Sequence, residues 1–196
     1  MIDNFLAHLQ NGIYHIFNAN AYDHILFLIV LSVPYLFKDW KRILFLVSVF
    51  TLAHCLSLML VVYKIISISQ TLIDFLIPVI IFIVGLFNVF TAGKKSHTNT
   101  FGLLFFATLF FGLVHGLGFT DDLNRLVATS ESKWIAILEI GLGIEIGQLI
   151  LCFVVLFISF LSQTLFRFSK RDWVMVSSSI VVGIVLPMLI RSELWS

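Results

Sequence analysis

Six runs of mostly apolar residues, each near the length that crosses a bilayer, leave this chain one environment in which to fold. A transmembrane helix needs about 20 such residues to span roughly 30 Å of hydrocarbon. The runs fall near 21–38, 41–63, 70–92, 101–119, 134–165 and 173–191, and the fifth is long enough to tilt or project beyond the membrane. With 12% charged residues and a mean hydropathy of +1.06, the chain has about half the charge of an average soluble domain. The expectation is an all-α, polytopic membrane helix bundle of about six transmembrane helices, one domain over 1–196.

The segment before the first run has another pattern. Ile2, Phe5, Leu6, Leu9, Ile13, Ile16 and Phe17 recur at helical spacing, with His8, Asn11 and His15 on other faces. That spacing predicts an amphipathic helix over 1–20, lying in the interface or dipping into the 21–191 bundle, with His8 at the surface. A secretory signal opens with positive charge; here the first Lys or Arg is Lys38, so insertion is expected through the first span itself.

Lys and Arg counts set the orientation. Connections holding Lys38, Lys41 and Arg42, then Lys94 and Lys95, then Arg167, Lys170 and Arg171 alternate with poorer ones carrying Lys64, Arg125, Lys133 and Arg191. The richer set is expected in the cytoplasm, with both termini outside a bacterial inner membrane. A net charge of +1 without a long basic run excludes a nucleic-acid partner. Cys55 and Cys152 sit in apolar runs and are expected as packed thiols rather than a disulfide.

Ionisable groups inside a membrane cost roughly 2.5–3.5 kcal/mol each on insertion scales, so they point to function. On this topology His54 lies about 20 Å up the second span and His115 about 21 Å up the fourth, at 1.5 Å per residue. Glu139 and Glu145 lie about 8 and 16 Å down the fifth. Asp23 and His24 open the first span, Asp74 starts the third as a cap, and Asp121 and Asp122 follow the fourth. A lone intramembrane histidine is ordinarily an interhelical hydrogen bond, and a loop aspartate is ordinarily solvated. Convergence of His24, His54, His115, Asp23, Glu139 and Glu145 on the outer half is a different matter. Gly112 and Gly116 bracket His115, and Gly143 and Gly147 bracket Glu145, at the small-xxx-small spacing that lets helices approach.

Imidazole and carboxylate without thiolate suit a divalent transition metal such as nickel or zinc. The expected ligands are Asp23, His24, His54, His115 and Glu145, joined by His15 if the amphipathic helix folds inward, and supported by Gln148, Asp121, Ser57 and Glu139.

The motifs resemble those of HupE/UreJ-like membrane proteins. The resemblance rests on Ala21-Tyr22-Asp23-His24-Ile25-Leu26-Phe27-Leu28 after His15, on Phe50 to Leu58 around His54, on Phe111 to Phe119 around His115, and on Gly143-Ile144-Glu145-Ile146-Gly147-Gln148. It implies transition-metal handling, above all nickel uptake serving hydrogenase or urease, with motif ligands at His15, Asp23, His24, His54, His115 and Glu145. His15 is followed by Ile16 rather than by the proline of better-known nickel permeases, which suggests a short, divergent branch.

Three functions fit. One is a secondary permease for nickel, cobalt or zinc, whose difficulty is a cytoplasmic half offering only neutral groups such as Ser48, Asn88, Thr108 and Gln163. Another is an intramembrane metalloenzyme, a hydrolase or transferase on lipid or peptide, with Glu145 or Asp23 as general base. The third is a structural or sensor protein. The partners are the metal ion and the bilayer; a homo-oligomer stays open.

Overall fold

The computed structural model describes residues 2–18, 22–94, 97–118, 127, 130 and 132–195, and all regular structure among them is helical. Seven α-helices follow one another: α1 (Ile2–Phe17), α2 (Asp23–Ser32), α3 (Trp40–Val62), α4 (Gln70–Thr91), α5 (His97–Leu117), α6 (Lys133–Thr164) and α7 (Lys170–Ile190). Four segments are long and apolar enough to cross a membrane: Phe37–Val62, Gln70–Thr91, Lys133–Thr164 and Lys170–Ile190. Their outward faces carry side chains such as Leu52, Ile83 and Phe153, while Gln148, Ser178 and, in the bundle as a whole, four histidines are buried. Apolar outside and polar inside suits a hydrocarbon solvent, where polar groups must be satisfied within the bundle. The protein is an integral membrane protein.

The expected first span is the main departure. Among the described residues of 22–38 the chain is α-helical only over Asp23–Ser32, about 15 Å of rise and half a bilayer. Val33 still has helical φ and ψ and bonds to the Ile29 carbonyl, but Pro34 follows and has no N–H with which to continue the ladder. A short 3-10 turn, Phe37–Asp39, then leads into α3.

α1 lies along α6 and runs in the same direction: His8 meets Glu139, Gly12 faces Ile140 and Gly143, and Ile16 faces Gly147. A Cβ on Gly12 or Gly143 would strike the opposite backbone, so small residues set the approach. His8, expected at the surface, is buried at 6% exposure because this packing brings Glu139 to it. α2 runs the same way. His24 lies beside His54 and His115, Phe27 packs on Phe50 and Phe111, Asn88 donates to the Val30 carbonyl, and the Ser32 hydroxyl donates to Cys152. Thus α1 and α2 run in the same direction one after the other, with His15 at the end of the first and His24 at the head of the second.

α3 and α5 run parallel, closed by Gly112 against Phe50 and Ala53 and by Gly116 against His54 and Ser57. α6 runs antiparallel to α3, with Glu145 at Ser48 and Gly141 at Cys55. α4 packs on α7 through Gly85 and Val182. The free thiols Cys55 and Cys152 are both buried. Asp74 is exposed and accepts from Gln70 rather than capping α4, whose N-cap is Ser69.

Candidate metal centre

Four helices deliver one imidazole each to the place where α1 ends and α2 begins. α1 ends with His15 in its last turn, and α2 begins with Asp23 and His24. α3 and α5, locked together by glycine contacts, supply His54 and His115. The His24 and His115 ring centroids lie 3.9 Å apart, His15 and His24 4.7 Å, and His54 and His115 5.5 Å. His15 is 6.0 Å from His54 and 5.8 Å from His115. His24, His54 and His115 are buried, His54 completely.

One nitrogen each from His15, His24 and His115 can be chosen so that all three lie within 4.8 Å of one another. Nitrogens bound tetrahedrally to one ion at about 2.0–2.1 Å lie about 3.4 Å apart, so holding an ion would draw the imidazoles together by up to about 1.4 Å. Asp23 bridges the group: Oδ1 is 3.3 Å from His24 Nδ1 and Oδ2 is 3.7 Å from His115 Nδ1. Oδ1 also accepts the His24 backbone N–H at 2.9 Å, which fixes the carboxylate at the head of α2. A carboxylate so placed either ligates an ion or orients the imidazoles that do.

One turn along α2, α3 and α5 from their histidines stand Phe27, Phe50 and Phe111. Phe27 and Phe111 stack at 3.8 Å with a 6° interplanar angle, and Phe50 lies 5.5 Å from Phe111. All three are buried. His54 stacks on Phe50 and His115 on Phe111. The imidazoles therefore rest on an aromatic floor.

Glu145 lies past this floor rather than among the imidazoles. It accepts a 2.6 Å hydrogen bond from Ser48, which is six residues before His54 on α3, about 9 Å of rise. Beside it, Thr51 donates to fully buried Gln148 at 3.3 Å, and the two pairs cross: Thr51 is nearer His54 on α3, while Gln148 is farther along α6 than Glu145. The α3–α6 seam thus carries polar side chains around the edge of the phenylalanines. Thr108 on α5 is buried too, its hydroxyl without a hydrogen-bond partner among the described residues.

On the other side of the imidazoles, His8 stands two turns before His15 on α1. Its Nδ1 lies 2.5 Å from Glu139 Oε2 and its Nε2 3.2 Å from Ser130 Oγ. Of the expected supporting residues, Glu139 therefore serves His8. Ser57 lies 3.0 Å from the His54 carbonyl and holds the α3–α5 contact, and Gln148 joins Thr51. Asp121, like Asp122, lies outside the described residues. Sequence reasoning missed His8 and Thr51. Both were signalled by helical phase, His8 two turns from His15 and Thr51 one turn from His54.

A family model described as HupE / UreJ protein matches residues 1–192, nearly the whole chain. No curated protein matches, and no solved structure does.

Proposed function

We propose a transport role from one premise and one arrangement: the chain belongs to the HupE/UreJ family, and its imidazoles meet at a broken membrane helix. The substrate is a divalent transition-metal ion of the nickel, cobalt or zinc type, and the protein is its secondary permease. His15, His24, His54, His115 and Asp23 form the capture site. Glu145, joined by Ser48, is the next station.

The observation that carries this reading is the junction of α1 and α2 in the histidine cluster. Transporters commonly bind substrate where a helix is interrupted, because split elements can rearrange around a bound ion. Permeation also needs polar footholds across the bilayer. His8 with Glu139, the imidazoles with Asp23, and the crossed pairs Thr51–Gln148 and Ser48–Glu145 supply them. With α1 and α2 counted as one crossing, the bundle has six. The basic side chains Lys38, Arg42, Lys94, Lys170 and Arg171 border one cavity at the end opposite the histidines. By the positive-inside rule that end faces the cytoplasm, which opens the imidazoles to the exterior.

Proteoliposome uptake tests the reading. Nickel, cobalt or zinc should enter vesicles holding the wild-type chain, and His24→Ala should abolish entry. Folded wild-type protein giving no flux above empty vesicles rejects it. The aromatic floor under the imidazoles favours a second reading, an intramembrane metalloenzyme that keeps its ion and acts on lipid or peptide. Stoichiometric metal retention with turnover and no flux would select it.

A further inference from the structure

The end of the bundle away from the histidines holds a cavity that metal handling does not use. It encloses about 590 Å³ between the start of α3, the α4–α5 connection and the start of α7. Lys38, Arg42, Lys94, Lys170 and Arg171 line it, against a single lining acid, Asp39. Asp39 is already engaged by the Leu36 backbone N–H at 3.1 Å. The positive-inside rule asks only that basic residues lie near this face; it does not require three separate segments to turn theirs toward one hollow. Gly93 explains part of the arrangement. Its φ of +83° and missing Cβ make room for the Arg171 side chain, whose Cδ would lie 3.0 Å from a Cβ there.

Two buried polar groups in the lining lack partners. The Tyr35 hydroxyl has no hydrogen bond among the described residues, though Tyr35 is only 5% exposed. Asn88, 1% exposed, gives its amide N–H to Val30 but leaves Oδ1 unmatched. Buried polar atoms left so are uncommon and call for a ligand or ordered water. A second hollow of about 380 Å³ adjoins the first, sharing Leu36 and Lys38, and runs between Phe37, Leu156 and Phe160. Cations, a buried donor and a buried acceptor beside an apolar groove match one class of molecule.

We propose that this cavity binds the phosphate headgroup of an anionic glycerophospholipid, with an acyl chain along the adjoining groove. Basic pockets between helices on the cytoplasmic side recognise such headgroups. Arg42 and Arg171 pair with the phosphate, and arginine suits its planar, two-pronged contact. Tyr35 donates to the headgroup, and Asn88 Oδ1 accepts from a headgroup hydroxyl. The groove distinguishes lipid from free phosphate, which has nothing to place there.

Native mass spectrometry of the full chain in detergent tests this, using phosphatidylglycerol and phosphatidylcholine with identical chains and, in a separate arm, inorganic phosphate. Phosphatidylglycerol should bind at least tenfold more tightly than phosphatidylcholine. Arg42→Gln combined with Arg171→Gln should erase the preference. Tyr35→Phe, which removes only the hydroxyl, should weaken phosphatidylglycerol binding several-fold and keeps the question answerable if the arginine pair misfolds. Lys41→Gln, a basic residue of the same end outside the lining, should leave binding within twofold. Equal affinity for the two lipids overturns the proposal. So does a preference that survives both the arginine and tyrosine changes, a Lys41→Gln loss as large as theirs, or inorganic phosphate binding as tightly as the lipid. Metal binding in the same samples is independent of these outcomes.

Discussion

The two ends of this bundle solve opposite electrostatic problems with the same helices. At one end, imidazoles and carboxylates are packed into the interior, and each costly group has a neighbour that can share an ion. At the other, five cationic side chains border a cavity with one acid. A divalent ion is drawn to the first and repelled from the second. At an effective dielectric near 20, each unit charge about 8 Å from a divalent cation opposes it by roughly 4 kcal/mol before salt screening. For the transport role proposed above the difference is directional: the imidazole end suits capture of a cation, and the far end would oppose its passage until something anionic occupies it.

The contrast can be broken most severely at the imidazoles. His24→Ala or His115→Ala should lower nickel or zinc affinity at least 100-fold by isothermal titration, with elemental stoichiometry falling toward zero. Asp23→Asn keeps the shape but removes the charge bridging those two rings, and should cost between about ten- and 100-fold. Unchanged affinity would exclude Asp23 from the site. Glu145→Gln sharpens the comparison: equilibrium binding should stay within twofold while initial uptake drops about tenfold, since Glu145 lies beyond the aromatic floor. Equal losses in both would place it at the capture site after all. Smaller effects belong to the scaffold. Gly112→Ala should destabilise the protein by about 1–3 kcal/mol in denaturant titration, because its Cβ would meet the Phe50 carbonyl and Ala53. Gly183→Ala meets nothing within 4 Å and should fall within about 0.5 kcal/mol of wild type.

Much of this was readable in the sequence for a simple reason. In apolar runs, a histidine or an aspartate stands out against its background, and helical rise alone gives its depth. Depth alone puts His24, His54, His115 and Asp23 at one level, and their rings and carboxylate are neighbours in the structure. Depth does not give azimuth, and the carboxylate of Glu145 meets Ser48. The long crossings were legible within a few residues, from Trp40–Val62 to Lys170–Ile190. The short α2 was not. The apolar run 21–38 reads as one span because local hydropathy does not register that Pro34 ends the helix early. The amphipathic pattern of α1 leaves an interfacial helix and one dipping into the bundle both open, because its partner, the glycine face of α6, lies more than a hundred residues away.

The interruption between Phe17 and Asp23 carries a mechanical consequence. His15 belongs to the half before it, Asp23 and His24 to the half after it, and His54 and His115 to a glycine-locked pair that serves as a fixed post. An ion held by all of them fastens the two halves to that post and to each other. If the protein is the permease proposed above, cargo and clasp would be the same object, and letting the ion go would also free the two halves to move.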